Sequence, residues 1–208
     1  MKKYFILKSK NKLLFIFILF SLLINGCRQG YIIPSEVNVF IKSPMTVHPG
    51  CAHLVIFPFK TTEKQDGIHP SLNVEKLFNQ KISRNNHVNK ITLIEDKSLF
   101  SNMEEEELQI QRALYIANNK KADLMMLGSI DYYYDSVSID TKVIVSTMII
   151  SVESGEKLWW GTTPVTGKTG KKSFLFGDHM TPDPPTAQQL LEKAVEKIVY
   201  SIFCTKTF

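Results

Sequence analysis

The sequence predicts an α/β (α+β) domain: a mixed, twisted sheet of about five strands with three packed helices, in the order β-α-β-α-β-β-β-α. Three observations carry that expectation. An apolar run rich in β-branched and aromatic residues lies at 53–59, two amphipathic stretches with helical spacing follow it, and an extended region over 122–165 is broken by a single glycine turn.

The run HLVIFPF at 53–59 has the apolar continuity of a strand buried on both faces. Pro58 has no N–H to give to a ladder and ends it. After a polar loop, Ser71 opens a stretch in which Val74, Leu77, Phe78 and Ile82 recur at helical spacing, ending near Asn85 and Asn86. Residues 91–95 make a second strand. Ser101, Asn102, Met103 and Glu104 form a capping-box pattern, followed by the apolar stripe Ile110, Ala113, Leu114 and Ala117 and by Lys120 and Lys121. Acids at 104–107 and lysines at the far end complement the helix dipole, so the acid run needs no metal to explain it. A calcium site would instead need ligands converging from a turning loop.

Residues 122–135, 139–153 and 156–165 then read as three extended segments. Gly155, in the turn 153–156, sits where a left-handed residue is wanted, which predicts a hairpin and an antiparallel meander. The stretch 161–185, with four glycines, four prolines and three lysines including Lys168, reads as a long exposed loop. Asp183 and Pro184 open the last helix, whose buried stripe is Ala187, Leu190, Leu191, Ala194, Ile198 and Ile202. No internal repeat is visible.

Ahead of this domain stands an address. Lys2, Lys3, Lys8, Lys10 and Lys12 precede an apolar run at 13–24 that is too short to span roughly 30 Å of hydrocarbon and suits a signal-peptide core. With residues 1–26 removed, 20 basic face 20 acidic side chains, so the excess positive charge belongs to the signal and the electrostatic footprint of a nucleic-acid binder is missing. The residues Leu22, Leu23, Ile24, Asn25, Gly26 and Cys27 resemble the bacterial lipobox. That resemblance implies cleavage between Gly26 and Cys27, a diacylglycerol on the Cys27 thiol and acylation of the new amino terminus. Two or more acyl chains turn marginal membrane binding into stable anchoring. Arg28, where inner-membrane retention signals show aspartate, implies the periplasmic face of the outer membrane.

Residues 27–50, with Pro34, Pro44 and Pro49, read as a membrane tether in which the alternation of Val37, Val39 and Ile41 suits an edge strand; residues 51–208 form the domain. Cys51 and Cys204 remain as an even pair in an oxidising compartment. They are either bridged, tying the start of the domain to its last helix, or two separate thiols.

The strand Val55, Ile56, Phe57, Pro58 and Phe59, the entry Lys121, Ala122, Asp123, Leu124, Met125, Met126, Leu127 and Gly128, and the hairpin Val152 to Trp159 ending in Gly-Glu-x-Leu-Trp resemble landmarks of a group of envelope domains. That group includes the curli secretion lipoprotein CsgG, the penicillin-binding-protein activator LpoB and the N-terminal domain of TolB, and the resemblance covers roughly residues 51–204. It implies a non-enzymatic protein that docks on another envelope protein or on its own copies. No pair of long amphipathic membrane hairpins is present, so a CsgG-like pore role is not expected.

The search for catalytic patterns leaves little. Gly161 and Gly167 with Lys168 and Thr169 stand one residue too far apart for a phosphate loop, and no apolar-periodic helix follows, so no nucleotide is expected. The five histidines form no metal-ligand spacing and there is no CxxC, so neither metal nor cofactor is expected. Ser173 lies near Asp178 and His179 in sequence but no nucleophile elbow is present, so a hydrolase would have to assemble its site from distant residues. The aromatic residues are the better signal: Tyr132, Tyr134, Trp159 and Trp160, with Lys168, are candidate partner-binding residues. Strand alternation places Tyr132 and Tyr134 on one side and Tyr133 on the other. The alternative for the aromatics is core packing.

Overall fold

A computed structural model describes residues 31–34, 36–43, 49–61, 74–84, 88–100, 103, 105–134, 140–169, 172–173, 179–180 and 183–204. Gly26, Cys27 and the signal segment lie outside them. The elements are β1 (Tyr31–Pro34), β2 (Asn38–Lys42), β3 (His53–Ile56), β4 (Lys60–Thr61), α1 (Val74–Arg84), β5 (Lys90–Leu93), α2 (Glu106–Asn119), β6 (Leu124–Tyr134), β7 (Thr141–Ser151), β8 (Lys157–Lys168), β9 (Lys172–Ser173), β10 (His179–Met180) and α3 (Ala187–Phe203).

The expected order is present in β3-α1-β5-α2-β6-β7-β8-α3, and the sheet is mixed. It has eight strands rather than about five, ordered β1-β8-β7-β6-β3-β5, with β2 also on β8 and β4 also on β6. Buried at every position, β3 runs parallel to both β5 and β6, as its apolar continuity requires. The β6-β7-β8 meander is antiparallel, and Gly155 takes φ +72° in the turn between β7 and β8.

At the sheet's far edge the edge strand expected over 37–41 is present as β2, and β1 joins it; both pair with β8, from Tyr31 opposite Lys168 to Lys42 opposite Trp159. The extended segment expected over 156–165 runs on as β8 to Lys168, so the stretch 161–185 opens as strand rather than as loop. Its glycines serve packing. A Cβ on Gly161 would meet the Trp159 ring at 2.8 Å and the Asn38 carbonyl at 2.9 Å, and one on Gly167 would meet Pro185 at 2.9 Å. Pro164 falls opposite the break between β1, which ends at Val165, and β2, which begins at Thr162, where no ladder bond is due from that side.

The helix starts also shift. Glu105, with no side-chain cap bond, precedes α2, while the carbonyl of Met103 accepts from Gln109 Nε2 at 2.7 Å and Lys60 Nζ at 2.9 Å. Ser101, Asn102 and Glu104 lie outside the described residues. The last helix is opened by Thr186, not Asp183 and Pro184: Thr186 Oγ1 accepts from Gln189 N and Gln189 Oε1 accepts from Thr186 N, a complete capping box.

Helices α1 and α3 cover one face of the sheet, over Leu54, Ile56, Leu124, Met126, Val143, Val145, Ile149 and Val165. On the other face α2 covers only β3, the start of β6 and the end of β7, through Val55, Phe57, Met125, Leu127, Ile150 and Val152. Under α1 and α3 the hydroxyls of Thr147 and Thr163 are buried without a hydrogen-bond partner among the described residues. An isosteric apolar replacement removes that desolvation cost, so Thr163→Val is expected to raise stability by about 1 kcal/mol, read from the midpoint of chemical denaturation.

Candidate functional site

The part of the second face that α2 leaves bare among the described residues is built by alternation and two irregularities. In β7, Thr141, Val143, Val145, Thr147 and Ile149 turn inward, so Lys142, Ile144, Ser146 and Met148 turn outward. A register shift between Ile130 and Tyr132 keeps Ile130 and Tyr133 in the core while placing Asp131, Tyr132 and Tyr134 outside. A second shift between Ile149 and Ile150, opposite Leu158, brings both Leu158 and Trp159 to the helix side and leaves Trp160 on the bare side.

Register then orders the bare face into rows across the strands. From one end they are Met148 and Trp160, next to Leu127 at the margin of α2's cover; Ser129, Ser146, Thr162 and Asn38; Tyr132, Ile144 and Pro164; Tyr134, Lys142, Thr166 and Ile33; and Lys168 with Tyr31. The first row is aromatic-capped: the Phe40 ring, 58% exposed, lies 4.7 Å from the Trp160 ring centroid to centroid. Lys157 Nζ stands 5.6 Å from the Trp160 ring and 2.7 Å from Glu106 at the start of α2. Between α2 and this row opens a groove of about 240 Å³ bordered by Lys60, Gln109, Ser129, Met148 and Trp160. Burial holds the Lys60 ammonium below the usual lysine range while its Nζ is satisfied by the Met103 carbonyl.

The second row is a hydroxyl ladder. Ser129 Oγ donates to Asp131 Oδ1 at 2.5 Å, Ser146 Oγ donates to Asp131 Oδ2, and the Thr162 hydroxyl donates to Ser146 Oγ at 2.5 Å. It ties three strands together and engages both carboxylate oxygens as acceptors. Farther along, the Tyr132 and Tyr134 rings lie 6.4 Å apart, with Lys142 Nζ 5.4 Å from the Tyr132 ring.

The structure thus brings four of the five candidate partner-binding residues, Tyr132, Tyr134, Trp160 and Lys168, onto one face and sends Trp159 into the core at 2% exposure. Phe40, Met148, Asp131 and the hydroxyl row were not found by sequence reasoning; outward alternation in β7 was the one available signal for Met148 and Ser146. His53, the one histidine whose side chain is described, is structural: Nδ1 pairs with the Lys121 carbonyl at 3.1 Å and Nε2 with Thr92 Oγ1 at 2.9 Å. Among the described residues no three His, Cys, Asp or Glu side chains converge on a metal-sized site. Cys51 and Cys204, considered above as a bridge or as two thiols, are both exposed. Cys51 ends an exposed turn before β3, and α3 turns its buried stripe to the sheet as far as Ile202, leaving Cys204 exposed at its C-cap.

No family model and no curated protein matches the chain. Solved structures do. A PelC dodecamer from Paraburkholderia phytofirmans is 13% identical, with a TM-score of 0.51 over 86% of this chain and 99% of that one. The hypothetical protein CT253 from Chlamydia trachomatis is 14% identical over 74% of this chain and 99% of that one, with a TM-score of 0.44. The C-terminal domain of LpoB from Salmonella enterica is 18% identical over 57% of this chain and 84% of that one, with a TM-score of 0.34. At these identities the PelC likeness establishes a shared fold across almost the whole of that chain, and it is the fold alone that the two proteins are shown to have in common.

Proposed function

We propose that this chain is a lipoprotein held by Cys27 at the periplasmic face of the outer membrane, and that it acts without chemistry of its own as an adapter, activator or assembly factor for another envelope protein. The observation that carries this reading is the bare sheet face with its exposed aromatic end. Trp160, Phe40 and Met148 there offer large contact area beside a polar rim of Lys157, Glu106 and the hydroxyl row, the composition of a protein-docking patch. Tyr132 and Tyr134 continue it, and the signal and lipobox resemblance at 1–27 supports the compartment.

A second reading, assembly with its own copies, is favoured by one observation: the protein of like fold is described as a dodecamer. Photo-crosslinking in intact cells, with the reactive residue at Trp160 and at Tyr132 in turn, separates the two. Capture of a single foreign envelope protein, lost when Cys27→Ala releases the chain from the membrane, is the expected result. Capture of its own copies alone would move the function to self-assembly, and capture of nothing at either position would remove the docking face.

A further inference from the structure

The first strand of the sheet begins almost at the lipid. Only Arg28, Gln29 and Gly30 separate Cys27 from Tyr31, and an extended chain advances at most about 3.6 Å per residue, so Tyr31 lies within about 14 Å of the residue that carries the acyl chains. Nothing farther along lengthens that leash. Residues 31–34 are in register with β8 from Lys168 back to Val165, and β2 repeats the pairing from Thr162 to Trp159. The stretch 27–50 therefore leaves a reach of a few residues, not of two dozen.

The corner of the sheet held there has the side chains that a bilayer surface takes. Tyr31 is 51% and Ile33 38% exposed, and both stand on the bare face, since their neighbour Ile32 packs inward with Gly167. Lys168 is directly opposite Tyr31, and Lys142 lies in the row of Ile33. A tyrosine ring suits the headgroup level, an isoleucine the layer below it, and lysines reach phosphates while laying their stems on apolar surface. Among the described residues the acids near this corner are Asp140, just before β7, and Glu36, just after β1, with Asp183, Glu192 and Glu196 on the helix side, in the groove that Ile32 borders. Soluble surfaces carry single exposed apolar residues without consequence, but these two sit at the point where covalent geometry brings the membrane.

We infer that the β1 corner, through Tyr31, Ile33, Lys168 and Lys142, lies against phospholipid headgroups, so that β8 rises from the membrane and presents Trp160 and Phe40 at its distal end. Eight residues of strand at about 3.3 Å each put Trp160 about 26 Å from Lys168. The inference rests on the acylation of Cys27 proposed above, and it gives the docking face a direction: lipid at one end, protein partner at the other.

The test uses the acylated full-length protein in vesicles of phosphatidylethanolamine and phosphatidylglycerol containing a nitroxide-labelled lipid. In a Cys51→Ser, Cys204→Ser background, an environment-sensitive fluorophore is attached at Tyr31→Cys, at Lys168→Cys or at Phe40→Cys, with thermal unfolding checked for each. The expected result is several-fold stronger nitroxide quenching at 31 and 168 than at 40, with the reverse order for aqueous iodide. Mass spectrometry of the Cys27 peptide keeps the two ideas apart. An acylated Cys27 with equal quenching at all three sites overturns the apposition and leaves the anchor standing. An unmodified Cys27 overturns the anchor and the apposition with it.

Discussion

Trp159→Ala is expected to cost about 3–5 kcal/mol of stability, whereas Trp160→Ala, one residue along, is expected to cost about 1 kcal/mol or less and to abolish capture of the partner. The difference follows from the face each ring occupies. Trp159 is 2% exposed, lies in the cluster with Val145, Ile149 and α3, and its ring rests where only a glycine, Gly161, leaves room. Truncation there opens a cavity between the sheet and α3. Its indole N–H is buried without a partner among the described residues, so Trp159→Phe should recover much of the loss by removing an unsatisfied donor along with part of the ring. Trp160 is half-buried and packs on the exposed Phe40 ring and under Lys157, contacts that water can replace. Chemical denaturation of the three variants, run beside crosslinking from Tyr132, reads both effects. Equal destabilisation by the two alanine variants would make Trp160 a core residue and take the aromatic end out of the docking face.

That pair also marks where sequence reasoning stops. Local patterns were legible: the continuous apolar run of β3, the stripes of α1 and α3, the left-handed Gly155 and the shared side of Tyr132 and Tyr134 all follow from periods of 2 and 3.6 within a few residues. The side of Trp159 and Trp160 was not legible, because a register shift at Ile149 turns the parity that alternation would count from the hairpin. The end of β8 was hidden for a related reason. Gly161, Pro164 and Gly167 are loop residues by composition, yet each is required by something distant: the Trp159 ring and the Asn38 carbonyl, the break between β1 and β2, and Pro185 with Leu190. The zipping of residues 31–42 onto β8 is a pairing across most of the chain, and no local signal announces it. The hydroxyl row of Ser129, Ser146 and Thr162 is a property of register alone, invisible until three strands are aligned.

Gly128→Val should be more disruptive than most core truncations, and the reason links the sheet to the groove. Gly128, Thr147 and Gly161 face one another across β6, β7 and β8, a shallow channel in the helix-side surface of the sheet. Aromatic rings occupy both glycine ends: Trp159 over Gly161 and Phe59 over Gly128. A Cβ at 128 would collide with the Phe59 ring and stand 2.6 Å from the Ser146 carbonyl oxygen. The ring could turn away, but the carbonyl belongs to the backbone of the neighbouring strand and has nowhere to go. Phe59 cannot leave cheaply either. Its N–H donates to the buried Glu75 carboxylate at 2.8 Å, its ring stacks on Phe78 at 5.1 Å, and the next two residues are β4 on the edge of β6. Displacing Phe59 therefore drags Lys60, whose bond to the Met103 carbonyl closes one side of the groove beside Trp160. A loss of about 3 kcal/mol or more, seen as a fall in Tm of roughly 10 °C, is expected for Gly128→Val. Gly128→Ala with Phe59→Leu should regain part of it, because the smaller side chain yields space that the carbonyl cannot. If Gly128→Val melts with the parent protein, the channel is softer than the register implies and the coupling from sheet to groove through Phe59 falls.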